Sequence, residues 1–338
     1  MAKVKRINLA LQGGGAHGAF TWGVLDRLLE DDRIEVAGIS GTSAGALNAA
    51  ALKSGWIEDG AKGARAKLDW LWGRMGAVQD LRMPGWMAAG LPGAISSAVE
   101  LSPGYQMMEA AGRMVSPYAY GPFYANPLRS VVEAFEYDKV CAVPGPRLFV
   151  GATNVHSGKI RVFTGDDIHA DALLASACLP TLFQAIEIEG QHYWDGGYTG
   201  NPALFPLFDR ALPDDIVVVN INPLERSDVP RSPQDIQNRI NEISFNSSLL
   251  RELRAIRFAQ RLLNDGAIKP GAMKDVLVHM IADDVLMQEL SVATKLMPNV
   301  FVLNQLKEAG RAACEGFLAA HFEDLNTRSS TDIEAMFD

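Results

Sequence analysis

The chain has 338 residues, 48% hydrophobic and 21% charged, so it carries enough apolar material for one large domain or two small ones and too much for a disordered chain. Its 31 basic residues against 40 acidic ones give a net charge of -9, a balance that disfavours a protein whose main task is to bind nucleic-acid phosphates. Cys141, Cys178 and Cys314 are odd in number and lack metal-site spacing, so buried reduced thiols are expected rather than a disulfide framework or a zinc site.

The opening "MAKVKRINLALQGGG" breaks into polar and glycine residues after about five apolar-rich positions, too few for a signal-peptide core. No stretch approaches the roughly 20 apolar residues of a membrane span. Both features point to a cytoplasmic protein. In chain order, Ile7 to Leu11 reads as a buried strand, followed by a glycine loop and a helix from about Gly18 to Glu30. A second strand at Val36 to Ser40 runs through a sharp turn into an alanine-rich helix that Gly55 is expected to end. This alternation predicts a parallel α/β sheet.

From Leu81 to Phe123 five prolines and scattered methionines and aromatics predict a covering segment, with a packed surface excursion and a mobile substrate-facing lid as the two readings. Strands are expected at Arg147 to Thr153, Lys159 to Phe163, Val217 to Ile221 and Val276 to Ile281, with a helix over Ala170 to Cys178. Between the last two strands a long helical stretch carries the apolar stripe Ile243, Leu249, Leu250, Leu253, Ile256 and Leu263. On it Arg251, Arg254, Arg257 and Arg261 share a face. Such a face can lie on an anionic membrane, but a helix packed on the sheet with solvated arginines is the commoner arrangement.

The first loop, "INLALQGGGAHGAF", matches G-x-G-x-x-G through Gly13, Gly15 and Gly18. A dinucleotide site needs an acidic residue at the end of the second strand, and that strand ends in Ser40, Gly41, Thr42 and Ser43, while Glu35 lies at its other end. A phosphate-binding P-loop fails for want of G-K-[ST]. The second strand carries instead Gly41-Thr42-Ser43-Ala44-Gly45, a G-x-S-x-G pentapeptide at a strand-to-helix turn, the context of a nucleophile elbow. Its glycines let the chain turn tightly, so that Ser43 Oγ projects at a helix N-terminus.

A serine nucleophile needs a base. Of the six histidines, His279 and His321 have the chain order of a Ser-acid-His triad, but neither lies in a glycine-rich loop at a clear strand end, and structural roles suit them better. The other candidate is Asp195-Gly196-Gly197, a turn whose glycines can deliver one carboxylate into a crowded site.

Together these segments resemble the patatin-like phospholipase family of lipid acyl hydrolases, which use a Ser-Asp dyad. The match rests on Gly13-Gly14-Gly15-Ala16-His17-Gly18, on the elbow from Gly41 to Gly45, on Asp195-Gly196-Gly197, and on "ASACLPTLF" from Ala175 to Phe183. The resemblance implies a three-layer α/β/α fold with a mostly parallel central sheet and additional helices in the C-terminal part. It further implies one domain over 1–338, with a motif-bearing core at about 7–222 and helical parts at about 223–338. Ser43 would be the nucleophile, Asp195 the general base, and the amides of Gly13, Gly14 and Gly15 the oxyanion hole, with Gly41 and Gly45 shaping the elbow and His17, Gly18, Gly196 and Gly197 in support. No metal or organic cofactor is implied.

The expected substrate is a lipid or other acyl ester, with peripheral contact at a lipid surface and no nucleic acid. Small soluble esters, a storage polyester, and a non-catalytic or nucleotide-binding use of the glycine loop are the alternatives. The family usually carries arginine or lysine where this chain has His17. A titrating His17 would make activity pH-dependent near 6.5, the ordinary pKa of its side chain.

Overall fold

The computed structural model describes residues 4–78, 92–105, 107, 115–269 and 271–337. In chain order the elements are β1 (Lys5–Leu11), α1 (Gly18–Leu28), β2 (Ile34–Thr42), α2 (Ala44–Val78), α3 (Pro92–Glu100), α4 (Arg129–Val132), α5 (Tyr137–Val140), β3 (Arg147–Asn154), β4 (Ile160–Thr164), α6 (Ala170–Ser176), β5 (Ile186–Ile188), β6 (Gln191–Asp195), β7 (Asp215–Val219), α7 (Pro233–Asn264), β8 (Leu277–Ile281), α8 (Asp284–Glu289), α9 (Val292–Leu296) and α10 (Val300–His321). The strands form a sheet in the order β5-β6-β3-β2-β1-β7-β8, with β4 paired to β3 off this path.

The centre is parallel, through the pairs β3 with β2, β2 with β1, β1 with β7 and β7 with β8. The pairs β3 with β4, β3 with β6 and β5 with β6 are antiparallel. Central strands are apolar on both faces because both are covered. Along β1, Ile7, Leu9 and Leu11 enter one core and Ala10 the other; along β7, Val217 and Val219 face the first core, Ile216 and Val218 the second. This is the period of two that the pleat imposes.

Helices α1, α2, α6 and α10 bring Phe20, Leu52, Leu173 and Leu306 to the first core, while α7 brings Leu249, Leu253 and Ile256 to the second. The result is three layers, with β8 returning from beyond α7 to extend the same sheet.

One expectation changes. Gly55 does not end its helix: α2 continues to Val78 and breaks at Asp59 and Gly60, which leave helical dihedrals. A Cβ on Gly55 would stand 2.2 Å from Gly63 O, so this glycine serves a close approach between the two arms of the broken helix. The arginine face of α7 follows the commoner arrangement, with Arg251, Arg254 and Arg261 exposed. Arg257 pairs with Glu334 at 2.9 Å, Arg254 lies over the Phe337 ring, Arg261 over Phe258, and Arg251 Nε donates to Ser247 O. The first two contacts pin the C-terminal segment and the other two stay within α7, in keeping with a helix packed on the sheet. Within the stripe, Ile243 is the exception, exposed while Leu249, Leu253 and Ile256 are buried.

Of the expected covering segment from Leu81 to Phe123, residues 81–91, 106 and 108–114 lie outside the described residues, and the lid reading with them; the described part carries α3, whose Val99, with Tyr105 beyond it, is buried in the first core. The described turn at its end is tied to the strand side of the molecule: Tyr124 Oη accepts from Gln184 N at 3.1 Å and Tyr118 Oη from Ala185 N at 3.0 Å. All three cysteines are free, Cys178 and Cys314 buried and Cys141 partly so.

Candidate functional site

Strand β3 brings the two halves of the site together. Thr42, the last residue of β2, lies opposite Gly151, and Asp195, the last residue of β6, lies opposite the next residue, Ala152. Ser43 and Asp195 therefore leave the sheet from adjacent register positions, one on either side of β3. Close packing lets the three strands end together: a Cβ on Gly196 would stand 2.3 Å from Gly151 O, and Thr42 Oγ1 donates to Gly200 O at 2.7 Å.

Ser43 has φ +54°, in the left-handed region. That conformation costs a non-glycine residue about 1–2 kcal/mol, and the surroundings impose it. A Cβ at Gly45 would lie 2.1 Å from Leu11 O and one at Gly41 2.6 Å from Gly45 O, so both positions flanking the elbow must stay bare. The Ser43 amide donates to Ser176 Oγ at 2.9 Å, and Ser176 Oγ donates on to Gly151 O at 2.6 Å. The segment Ala175 to Phe183 thus braces the elbow, and Leu179, Leu182 and Phe183 from it line the adjoining cavity.

Asp195 is 1% exposed. Its Oδ1 accepts from Gly197 N at 2.8 Å, while Oδ2 has no hydrogen-bond partner of good geometry among the described residues. Burial pushes its pKa up to about 7, against the opposing pull of the Gly197 amide and the Ser43 hydroxyl. The hydroxyl is thus near enough to act on the carboxylate without completing a well-formed bond.

The glycine loop sits on the other side of Ser43. Gly14, Gly15 and Ala16 line the cavity with Ser43 and Asp195, and Gly13 does not. The amide of Gly13 is given to Asn201 Oδ1 at 2.6 Å and so is not free for the donor role expected of it, whereas Gly14 and Gly15 line the cavity. Gly15 has φ +58°, and a Cβ there would stand 2.3 Å from Lys295 O, so helix α9 closes directly on the loop. A polar cradle holds the rest. Gln12 Oε1 accepts from the amides of Ile221 and Asn222 at 2.9 and 3.1 Å, and Asn222 Nδ2 donates to Gly13 O at 2.9 Å.

His17 does not titrate near 6.5. It is buried, its Nε2 meets Thr294 Oγ1 at 2.8 Å, and since that hydroxyl is given to Ser291 O, Nε2 carries the proton. Burial, reinforced by the charge of Lys295, holds its pKa well below the ordinary value, so His17 is neutral at neutral pH. Gly18 packs against Ala44 and Trp72. His279 and His321 lie away from the cavity: His279 joins Asp215 to Ser330, and His321 pairs with Asp324 at 2.9 Å.

The cavity has a volume of about 300 Å³. Leu47, Leu71, Trp72, Met75 and Leu128 form an apolar wall, and Gln237, Asn241 and Lys295 a polar one. Sequence reasoning missed Asn201, Asn222 and Lys295. The first follows three residues after the Asp195-Gly196-Gly197-Tyr198 turn and could have been weighed with it, whereas the other two carry no local signal.

A family model described as patatin-like phospholipase matches residues 9–208. The chain belongs to the patatin-like phospholipase family. Family membership supports hydrolysis of lipid esters as the general class of activity. No curated protein sequence gives a significant match. Among solved structures, VipD from Legionella pneumophila is similar over 94% of this chain and 67% of its own, at 13% identity and a TM-score of 0.44. The type III effector ExoU is similar over 94% of this chain and 54% of its own, at 15% identity and a TM-score of 0.36. The ExoU-SpcU complex from the type III secretion system of Pseudomonas aeruginosa aligns over 95% of this chain and 62% of its own, at 17% identity and a TM-score of 0.30. This patatin-like chain therefore spans about two thirds of VipD and 53–62% of the ExoU chains.

Proposed function

We propose that this patatin-like protein is a serine acyl hydrolase that cleaves carboxylic esters of lipid-like substrates through an acyl-enzyme on Ser43. The observation that carries the reading is the convergence of Ser43, at a strained elbow, and Asp195, with a buried carboxylate oxygen that has no hydrogen-bond partner among the described residues, on one largely apolar cavity. Ser43 Oγ attacks the ester carbonyl as Asp195 takes its proton; the carbonyl π electrons move onto oxygen. Gly14 and Gly15 supply amides to that oxyanion, each donor worth about 3–4 kcal/mol in comparable sites. Collapse expels the alcohol, which takes the proton from Asp195, and water then repeats the sequence to release the carboxylic acid.

A base is most effective when its pKa lies near the working pH, and a carboxyl at about 7 meets that condition where an ordinary carboxyl, at 3.8, does not. The apolar wall suits an acyl chain. Ile236, Ile240 and Ile243 are exposed at spacings of four and three on α7, beside Gln237 and Asn241 of the cavity, and such a row favours contact with a lipid surface. No helix among the described residues is long and apolar enough to cross a membrane.

The test is labelling with a fluorophosphonate, followed by hydrolysis of phospholipid vesicles and soluble 4-nitrophenyl esters. Wild-type labelling that disappears in Ser43→Ala is the expected result. Turnover in Asp195→Asn within a few-fold of wild type would sink the dyad.

A further inference from the structure

The glycine loop brings no cation of its own, because His17 is buried and neutral. Among the described residues lining the cavity, Lys295 is the one cationic side chain. Three contacts tie it to the loop rather than to the acyl wall. Its backbone carbonyl closes on Gly15. Its Nζ donates to Asn222 Oδ1 at 2.7 Å and to Asn241 Oδ1 at 3.4 Å. The same Asn222 oxygen stands 3.7 Å from the place a Cβ of Gly14 would take, and Asn222 Nδ2 holds Gly13 O.

Both oxygens that hold the ammonium are neutral amides, and among the described residues no carboxylate lies within ion-pair distance of Nζ. Glu242 on α7 is bound by Arg226 and Arg239, and Asp195 stands in the same cavity beside Ser43. A partly buried ammonium without a counter-anion is an unfavourable arrangement unless an anion arrives.

We infer that Lys295 supplies the positive charge for the oxyanion formed when Ser43 attacks an ester, a charge delivered to the glycine loop from helix α9. The inference rests on the proposed role of Ser43. Attack leaves one full negative charge on the former carbonyl oxygen beside Gly14 and Gly15, and the third N–H of Lys295 is left for the cavity. No further proton transfer is required, since the ammonium keeps its protons throughout. Burial lowers the Lys295 pKa to about 8, with Glu242 opposing and Arg226 assisting.

The experiment compares wild type with Lys295→Met, Lys295→Gln and Lys295→Arg on two soluble butyrate esters of similar size, one neutral and one carrying a carboxylate. Circular dichroism and thermal melting report folding; Lys295→Gln, which keeps amide donors for Asn222 and Asn241, serves if the methionine variant does not fold. We expect kcat to fall roughly 30- to 300-fold on both esters in Lys295→Met and Lys295→Gln, with KM changed less than threefold, and Lys295→Arg to recover to within about tenfold. The wild-type kcat should also decline above about pH 8 with a limb that the uncharged variants lack.

A loss confined to KM on the anionic ester would overturn the inference in favour of substrate-charge recognition. Undiminished kcat in Lys295→Gln would overturn it in favour of a structural role. If wild type neither labels at Ser43 nor turns over either ester, the proposed activity falls and the inference with it; an active wild type with an equally active Lys295→Gln overturns the inference alone.

Discussion

Asn201 and Gly13 are joined in both directions: the Gly13 amide donates to Asn201 Oδ1 at 2.6 Å, and Asn201 Nδ2 reaches back to Gly13 O at 3.4 Å. Asn201 is itself anchored, its amide donating to Ser248 Oγ at 3.0 Å. The first glycine of the loop is thereby spent on orientation, and the next two face the cavity.

Removing that anchor should misplace the loop. In Asn201→Ala the buried Gly13 amide loses its acceptor, at a cost of about 1–3 kcal/mol. Steady-state kinetics should show kcat reduced by roughly 10- to 100-fold. A variant with unchanged kcat would mean that the loop holds its shape without the asparagine.

The pKa of Asp195 fixes the sign of two pH effects. Turnover requires the carboxylate, so kcat should rise with pH through about 7, ahead of the decline expected above about 8 as Lys295 loses its charge. Stability should move the other way. A carboxyl whose folded pKa lies above its ordinary value of 3.8 costs nothing below about pH 4 and an increasing amount up to about pH 7, because the unfolded chain ionises first. Asp195→Asn should therefore match wild type in urea melts near pH 4 and exceed it near pH 8, with about 4 kcal/mol as the upper bound.

Gly15→Ala should be among the most damaging single-methyl changes in the chain. The added Cβ meets Lys295 O at 2.3 Å in a left-handed conformation, so the loop and α9 cannot both stay in place. A loss of about 2–4 kcal/mol in thermal or urea unfolding is expected, with turnover abolished. Gly60→Ala shares the positive φ but meets nothing within 4 Å, and serves as the control for backbone strain alone.

Because His17 is neutral and donates to Thr294, His17→Gln, which can keep that hydrogen bond, should leave the shape of the pH-rate profile between pH 5.5 and 8 unchanged. His17→Arg should instead destabilise by about 3 kcal/mol or more, since it buries a second cation beside Lys295. A flattened acidic limb in His17→Gln would restore the histidine as a titrating participant.

How much the sequence disclosed depends on the range of the cause. The elbow around Ser43 and the turn at Asp195 are local devices, in which glycine spacing around one reactive residue dictates the backbone, and they could be read directly. The alternation along β1 and β7 was equally readable, because period and burial coincide there. Gly55 was misread, since a glycine that ends a helix and one that admits a neighbouring backbone look alike until the partner, Gly63, is known. His17 revealed its type but not its burial, and burial decides its charge. Lys295, in the run "SVATKLMP", has no pattern around it; only the packing of α9 on Gly15 brings it to the cavity.

The placement of Ser43 and Asp195 on either side of β3 has a kinetic corollary. Their separation is set by strand pairing at Gly151 and Ala152, among the stiffest connections a protein possesses. The spacing of nucleophile and base is thereby independent of how substrate reaches the cavity. Any activator of this protein should accordingly act on entry or on the glycine loop. Acylation rates measured with a substrate small enough to bypass the entrance should be the same with and without it.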